Sequence, residues 1–180
     1  YYSAFSAIPD ASTDLPRKPP PLLREHRLYQ ADWLILFYGF AHEEIIVPGA
    51  ACMLDLEVDP KLAWALAHRE HFPVNLNRAP KMWLLRVPGL GVRSVQRLLA
   101  ARRVRLLRLA DLQQLRVATA KVLPFVETAD YHPQPATLET PQLRQQLLSR
   151  MPPTAAQHTP SGMQLPTQAQ LAQLALCWPC

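Results

Sequence analysis

Apolar residues recur along most of this chain at helical intervals. The first eight residues are the exception. Tyr1-Tyr2-Ser3-Ala4-Phe5-Ser6-Ala7-Ile8 is rich in aromatic and small residues, stops at Pro9 and reads as a short strand. Pro16, Pro19, Pro20 and Pro21 make the next stretch a turn-rich connector, because proline fixes φ and removes a backbone donor. From Leu22 to about Tyr38, Leu22, Tyr29, Trp33, Leu36 and Phe37 form a helical stripe, which Gly39 ends. Asp59-Pro60 predicts the start of another helix, with Asp as the cap and Pro at the first helical position. Leu62, Trp64, Ala65 and Leu66 then supply its apolar surface up to about His68.

The pattern after Val74 predicts short helices and no strands. Asn77 reads as the cap of a helix running to Arg86. Val87-Pro88-Gly89-Leu90-Gly91-Val92 interrupts it, and a second helix follows from Arg93 to about Arg103. Val95, Leu98 and Leu99 would face inward there, leaving Arg93, Arg97, Arg102 and Arg103 to reach outward. Asp111 to Leu115 and Ala118 to Phe125 read as two further short helices. Beyond residue 128, eight prolines and nine glutamines with little charge point to a flexible, low-complexity tail. Within it, 141–151 and 167–176 are marginal helices.

Composition narrows the classes. A chain of 180 residues, 49% of them hydrophobic, can build one core but is short of a complete (β/α)8 barrel. No apolar run reaches the length of a membrane span, so no membrane partner is expected. Tyr1 begins the chain without a signal pattern, so the sequence reads as a piece of a longer one, with the cytoplasm as default compartment. Cys52 stands alone in an apolar stretch and reads as a buried thiol. Cys177 and Cys180 form a C-x-x-C, a redox pair or half a zinc site, with no second ligand pair to complete it. His26 and His42 read as surface or packing residues. No carboxylate pair, nucleophile–base set or ligand cluster supports catalysis by this chain alone.

Charge changes the picture once it is divided along the chain. Residues 1–72 carry a net −4, residues 73–128 a net +9 and residues 129–180 a net 0. The basic segment favours a polyanion, nucleic acid before membrane, because no strongly apolar face opposes it at helical spacing. A solvated basic face is the plainer alternative.

The two glycines give that charge a candidate site. Two helices joined through Pro88-Gly89-Leu90-Gly91 leave backbone N–H groups and the positive end of the helix dipole at the second helix's start. Gly89 and Gly91 would let a phosphate approach the backbone, while Leu90 pins the turn to the core. A Gly-x-Gly-x-x-Ser dinucleotide loop fails here, since no hydrophobic strand leads into Gly89. A plain helix–helix turn remains the other reading.

Val87-Pro88-Gly89-Leu90-Gly91-Val92-Arg93-Ser94-Val95 resembles the helix-hairpin-helix motif of DNA-binding and repair proteins. Val74 to Ala79 before it and Leu109-Ala110-Asp111-Leu112 after it extend the match over 74–126, as in competence DNA-receptor domains. The resemblance implies that amides from Gly89 through Leu90, Gly91, Val92, Arg93 and Ser94, with Arg97 nearby, hold a DNA phosphate. It also implies that the carbonyls of Leu85, Val87 and Leu90 hold a monovalent cation. Val92-Arg93 departs from relatives that carry Pro or Lys there.

The front of the chain resembles the C-terminal part of DNA-modification/repair radical SAM proteins. The blocks that carry this are Tyr1 to Phe5, Ile8-Pro9-Asp10, Pro19 to Leu22, Arg24 to Leu34, Phe37-Tyr38-Gly39-Phe40 and Asp59 to Trp64. In that family a catalytic barrel precedes the hairpin domain and holds a 4Fe-4S cluster and S-adenosylmethionine through Cys-x3-Cys-x2-Cys. Cys52, Cys177 and Cys180 lack that spacing, so no cofactor is expected in this chain.

The expected fold is therefore mainly α. A residual barrel strand and connector (1–21) and linker helices (22–72) would precede a helix-hairpin-helix domain (73–128) and a disordered C-terminal tail (129–180). The expected function is DNA binding without sequence preference, by a module whose other partner is its missing N-terminal barrel domain. The alternative is a protein–protein scaffold with a solubilising basic face.

Overall fold

A computed structural model describes residues 21–46, 53–134, 137–138 and 140–150. The expected strand Tyr1–Ile8, most of the Pro-rich connector, the three cysteines and the helix at 167–176 lie outside them. The described chain is mainly helical: α1 (Leu22–Tyr38), α2 (His42–Ile45), α3 (Pro60–Ala67), α4 (Lys81–Arg86), α5 (Val92–Ala101), α6 (Leu109–Gln114), α7 (Thr119–Val122) and α8 (Leu143–Arg150). Among the described residues, no helix is long and apolar enough to cross a membrane.

The cap chemistry acts as the sequence predicts. Gly39 ends α1 in the left-handed conformation at φ 69°, its N–H bonded to the Leu34 carbonyl. Asp59 accepts from the Leu62 N–H at 3.0 Å at the start of α3, with Pro60 as the first helical residue. The face of α1 differs from expectation. Arg27, Ala31 and Leu34 are its buried positions, whereas Leu22, Trp33 and Leu36 are exposed. The Arg27 guanidinium decides this, donating to the Leu56 carbonyl at 2.9 Å and the Glu57 carbonyl at 3.2 Å. A charged head with such partners can be buried where a bare count of apolar positions would put it outside.

The linker-helix segment and the hairpin segment pack into a common core. Leu34, Phe40, Leu62 and Trp64 belong to one core with Leu84, Leu98, Phe125 and Leu147. Phe40 meets Trp64 edge-on at 5.4 Å, and Phe72 meets Phe125 at 5.1 Å, so aromatic rings join the two segments. The hairpin region is also not purely helical. Two-residue strands β1 (Val74–Asn75) and β2 (Val126–Glu127) pair in parallel, Val74 opposite Val126. Strands this short carry no alternation to read. Asn77 does not cap α4, which starts after Pro80. Its side chain instead clamps Leu107, accepting from the Leu107 N–H at 2.7 Å and donating to its carbonyl at 3.1 Å.

The expected tail begins too early at residue 129. Leu138, Leu143 and Leu147 are buried in the core. Arg144 bonds Asp55 and Glu57, each at 2.6 Å, and Arg69 donates to the Leu138 and Thr140 carbonyls, each at 3.0 Å. Leu143 and Leu147, four apart on α8, supply a helical face that the segment's low average hydrophobicity conceals. Residues 151–180 lie outside the described part.

Candidate nucleic-acid interface

The turn between α4 and α5 is built on a left-handed glycine and a buried leucine. Gly89 sits at φ +84°, in the left-handed region that favours glycine. A Cβ there would lie 2.8 Å from Val122 Cγ2 and 3.4 Å from Lys121 Cβ, so the turn is packed directly on α7. Leu90 is fully buried, its N–H bonded to the Val87 carbonyl at 3.2 Å, which anchors the loop. Gly91 is the residue before α5, at φ −86° and ψ 164°, an extended conformation any residue adopts. A Cβ at Gly91 would meet only the Tyr38 hydroxyl, at 3.8 Å. The two glycines thus differ in role. Gly89 is required by the fold, and Gly91 keeps the approach to the helix start open.

Helix α5 presents its first donors without a side-chain cap. Val95 is its first residue bonded within the helix, to the Gly91 carbonyl at 2.9 Å, which leaves the Arg93 and Ser94 amides directed out of the first turn. Val92 behaves differently from the expectation, because the Tyr38 hydroxyl accepts its N–H. Burial is the larger influence on Tyr38 and raises its pKa. Arg93 and Arg97, one turn apart, are exposed on the same side of α5 and make no ion pair among the described residues.

Beneath the turn lies a group the sequence did not single out. Lys61, on α3 and only 7% exposed, donates from Nζ to the Leu90 carbonyl at 2.6 Å and sits 4.6 Å from the centre of the Tyr38 ring. Leu90 is one of the three carbonyls expected to hold a cation. The Leu90 carbonyl takes an ammonium of the chain's own, and the Val87 carbonyl takes the Leu90 N–H. A metal cation held by Leu85, Val87 and Leu90 would sit against that ammonium. Burial lowers the Lys61 pKa to about 7, with Asp59 opposing the shift and Lys121 adding to it. Asp59 and Lys121 themselves form an ion pair, which ties the start of α3 to α7. The only advance signal was a lysine placed between Pro60 and Leu62 on an otherwise apolar surface.

The basic field is smaller than the count of arginines implies. Arg86 is buried, paired with Glu44 at 2.8 Å and stacked over Phe40 at 4.7 Å. Burial works against the Glu44 charge, but the Ala41 N–H and Arg86 outweigh it and hold its pKa low. Arg102 does not reach outward, donating to the Ala79 carbonyl at 2.6 Å. Arg105 pairs with the buried Asp111. Arg93, Arg97 and Arg103 remain exposed on or beside α5.

The turn between α6 and α7 shares with the first a positive φ followed by a buried apolar residue. Arg116 holds φ 54° where Gly89 holds φ 84°, and Val117 is buried as Leu90 is. The Val117 N–H bonds the Leu112 carbonyl at 3.0 Å, the backward bond of a left-handed helix end. The first turn packs on α7, the helix that follows the second turn, through Lys121 and Val122. Among the described residues, no group of three or more His, Cys, Asp or Glu is placed to hold a metal. Compared with protein-family models, curated proteins and solved structures, the chain matches none.

Proposed function

We propose that this chain binds duplex DNA without sequence preference, through a phosphate held at the start of α5, as the DNA-binding module of a radical SAM modification or repair protein. The observation that carries the proposal is the Gly89–Ser94 turn. It combines an anchored Leu90, a ten-residue helix whose Arg93 and Ser94 amides have no side-chain cap, and two unpaired arginines one turn apart. A phosphate there would accept from the Arg93 and Ser94 amides, with Arg93 and Arg97 adding charge. The Lys61 ammonium would strengthen the local field from behind while it keeps its proton. Such contacts position a backbone and read no bases.

The test is fluorescence anisotropy of the full chain with two unrelated duplexes. Gly91→Val suits it, because the extended backbone there accepts a β-branched residue and the added bulk covers the amides. Wild type should bind both duplexes alike, and the folded variant should lose both alike. Equal binding by wild type and variant would overturn the phosphate site and leave diffuse binding by the arginine field, whereas no binding by either would favour the scaffold reading.

A further inference from the structure

The most exposed large apolar side chains of the hairpin region are Val104 at 87% and Leu106 at 67%, both in the turn after α5. The turn that carries them is held at each end. Arg102 bonds the Ala79 carbonyl at 2.6 Å, and Arg105 pairs with buried Asp111. Leu107 is fully buried, clamped by Asn77 and accepting the Ala129 N–H at 3.0 Å. Apolar tips on a loose loop would need no account, but these project from a fixed frame.

Their surroundings indicate what they meet. The backbone continues in a helical turn beyond α5, with the Val104 and Arg105 N–H groups bonded to the Ala101 carbonyl at 3.1 and 3.2 Å. Helical periodicity then puts Arg93, Arg97 and Val104 on one stripe, about 16 Å from first to last. Arg103 is exposed beside Val104. The nearby acidic groups are engaged: Asp111 by Arg105 and the Arg108 N–H, Asp130 by the Leu109 N–H and the Thr128 hydroxyl. Arg108 adds positive charge near Asp130. A second copy of this chain would bring the same basic surface, with Arg93, Arg97 and Arg103, into a two-fold contact, which like charge opposes. A polyanion with an apolar interior matches both the charge and the tips.

We propose that the 102–108 turn is a second contact with duplex DNA, in which Val104 and Leu106 enter the minor groove as an apolar wedge while Arg93, Arg97 and Arg103 follow the phosphates. The proposal rests on the duplex-binding reading of the α5 start and adds a consequence that reading lacks. Wedges of this kind partly unstack a base step and kink the duplex. The stripe spans about half a helical turn of B-form DNA, so both contacts fit one face of a single duplex.

The experiment uses the full chain and a duplex carrying 2-aminopurine at several steps, whose fluorescence rises on unstacking. Wild type is compared with the Val104→Ser/Leu106→Ser double variant, which alters exposed positions only, and with Gly91→Val. The fluorescence should rise when wild type binds. In the double variant the rise should be lost and affinity should fall by about tenfold. Binding by wild type without a rise, or an equal rise in the double variant, would overturn the wedge while leaving the α5 phosphate site intact. No duplex binding by wild type would overturn both. Binding to anionic phosphatidylserine vesicles that the double variant loses, with the duplex signal unchanged, would assign the tips to a lipid surface and overturn the wedge.

Discussion

Replacing Lys61 by methionine should change how stability depends on pH. In the folded protein the Lys61 ammonium is buried and its pKa is lowered from 10.5 to about 7, chiefly by desolvation. The unfolded chain therefore binds the proton more tightly, and stability rises with pH between about 7 and 10.5. A folded and an unfolded pKa this far apart give a gain of about 2 kcal/mol between pH 7 and pH 9, since one proton contributes at most about 1.4 kcal/mol per pH unit. For a domain of this size that is on the order of 8 °C in melting temperature. Methionine keeps the apolar stem and abolishes the titration, at the cost of leaving the Leu90 carbonyl without its 2.6 Å donor. Chemical denaturation of both proteins at pH 7, 8 and 9 measures the difference directly. The wild-type minus variant stability should rise across the series. A constant difference would mean that Lys61 keeps an ordinary pKa and that the space beneath the turn is wet.

Three further outcomes follow from packing and backbone geometry. Leu143→Ala should cost about 3 kcal/mol in urea unfolding, because the side chain is 1% exposed; a loss under about 1 kcal/mol would return α8 to the tail. Gly89→Ala should destabilise the fold by about 2 kcal/mol or more, through the 2.8 Å approach to Val122 and the positive φ, whereas Gly91→Ala should stay within about 1 kcal/mol of wild type. Equal melting temperatures for the two would refute the separation of their roles. Arg116→Gly should raise stability by about 1 kcal/mol in the same assay, because Arg116 holds φ 54°; no gain would place that backbone outside the left-handed region.

The parts of this fold legible in the sequence are those fixed by neighbours along the chain. Gly39 ending α1, Asp59-Pro60 opening α3 and Pro88 to Gly91 separating two helices each depend on a few adjacent residues. Contacts between distant residues were not legible. Arg27 looks like a surface residue until Leu56 and Glu57 supply carbonyls, and Asn77 looks like a helix cap until Leu107 arrives thirty residues later. The same holds at the candidate site. Gly89, Leu90 and Gly91 announce a turn, but Lys61 reaches Leu90 only because α3 packs against the hairpin. Arg86, Arg102 and Arg105 count as basic field in the sequence and serve as internal ties in the fold. Leu143 and Leu147 were hidden by a composition poor in charge and rich in glutamine, which averages away a two-residue helical face.

The salt dependence of duplex binding tests the central claim most directly. Arg93 is exposed at the start of α5 and makes no ion pair among the described residues, so Arg93→Ala removes one charge near the proposed phosphate without disturbing the core. Titrations of the full chain with a random duplex at several salt concentrations give the slope of log K against log[salt] for each protein. The slope should fall in magnitude by about 1 in the variant, and by the same amount on an unrelated duplex. A folded Arg93→Ala protein with the wild-type slope would contradict a phosphate held at the start of α5.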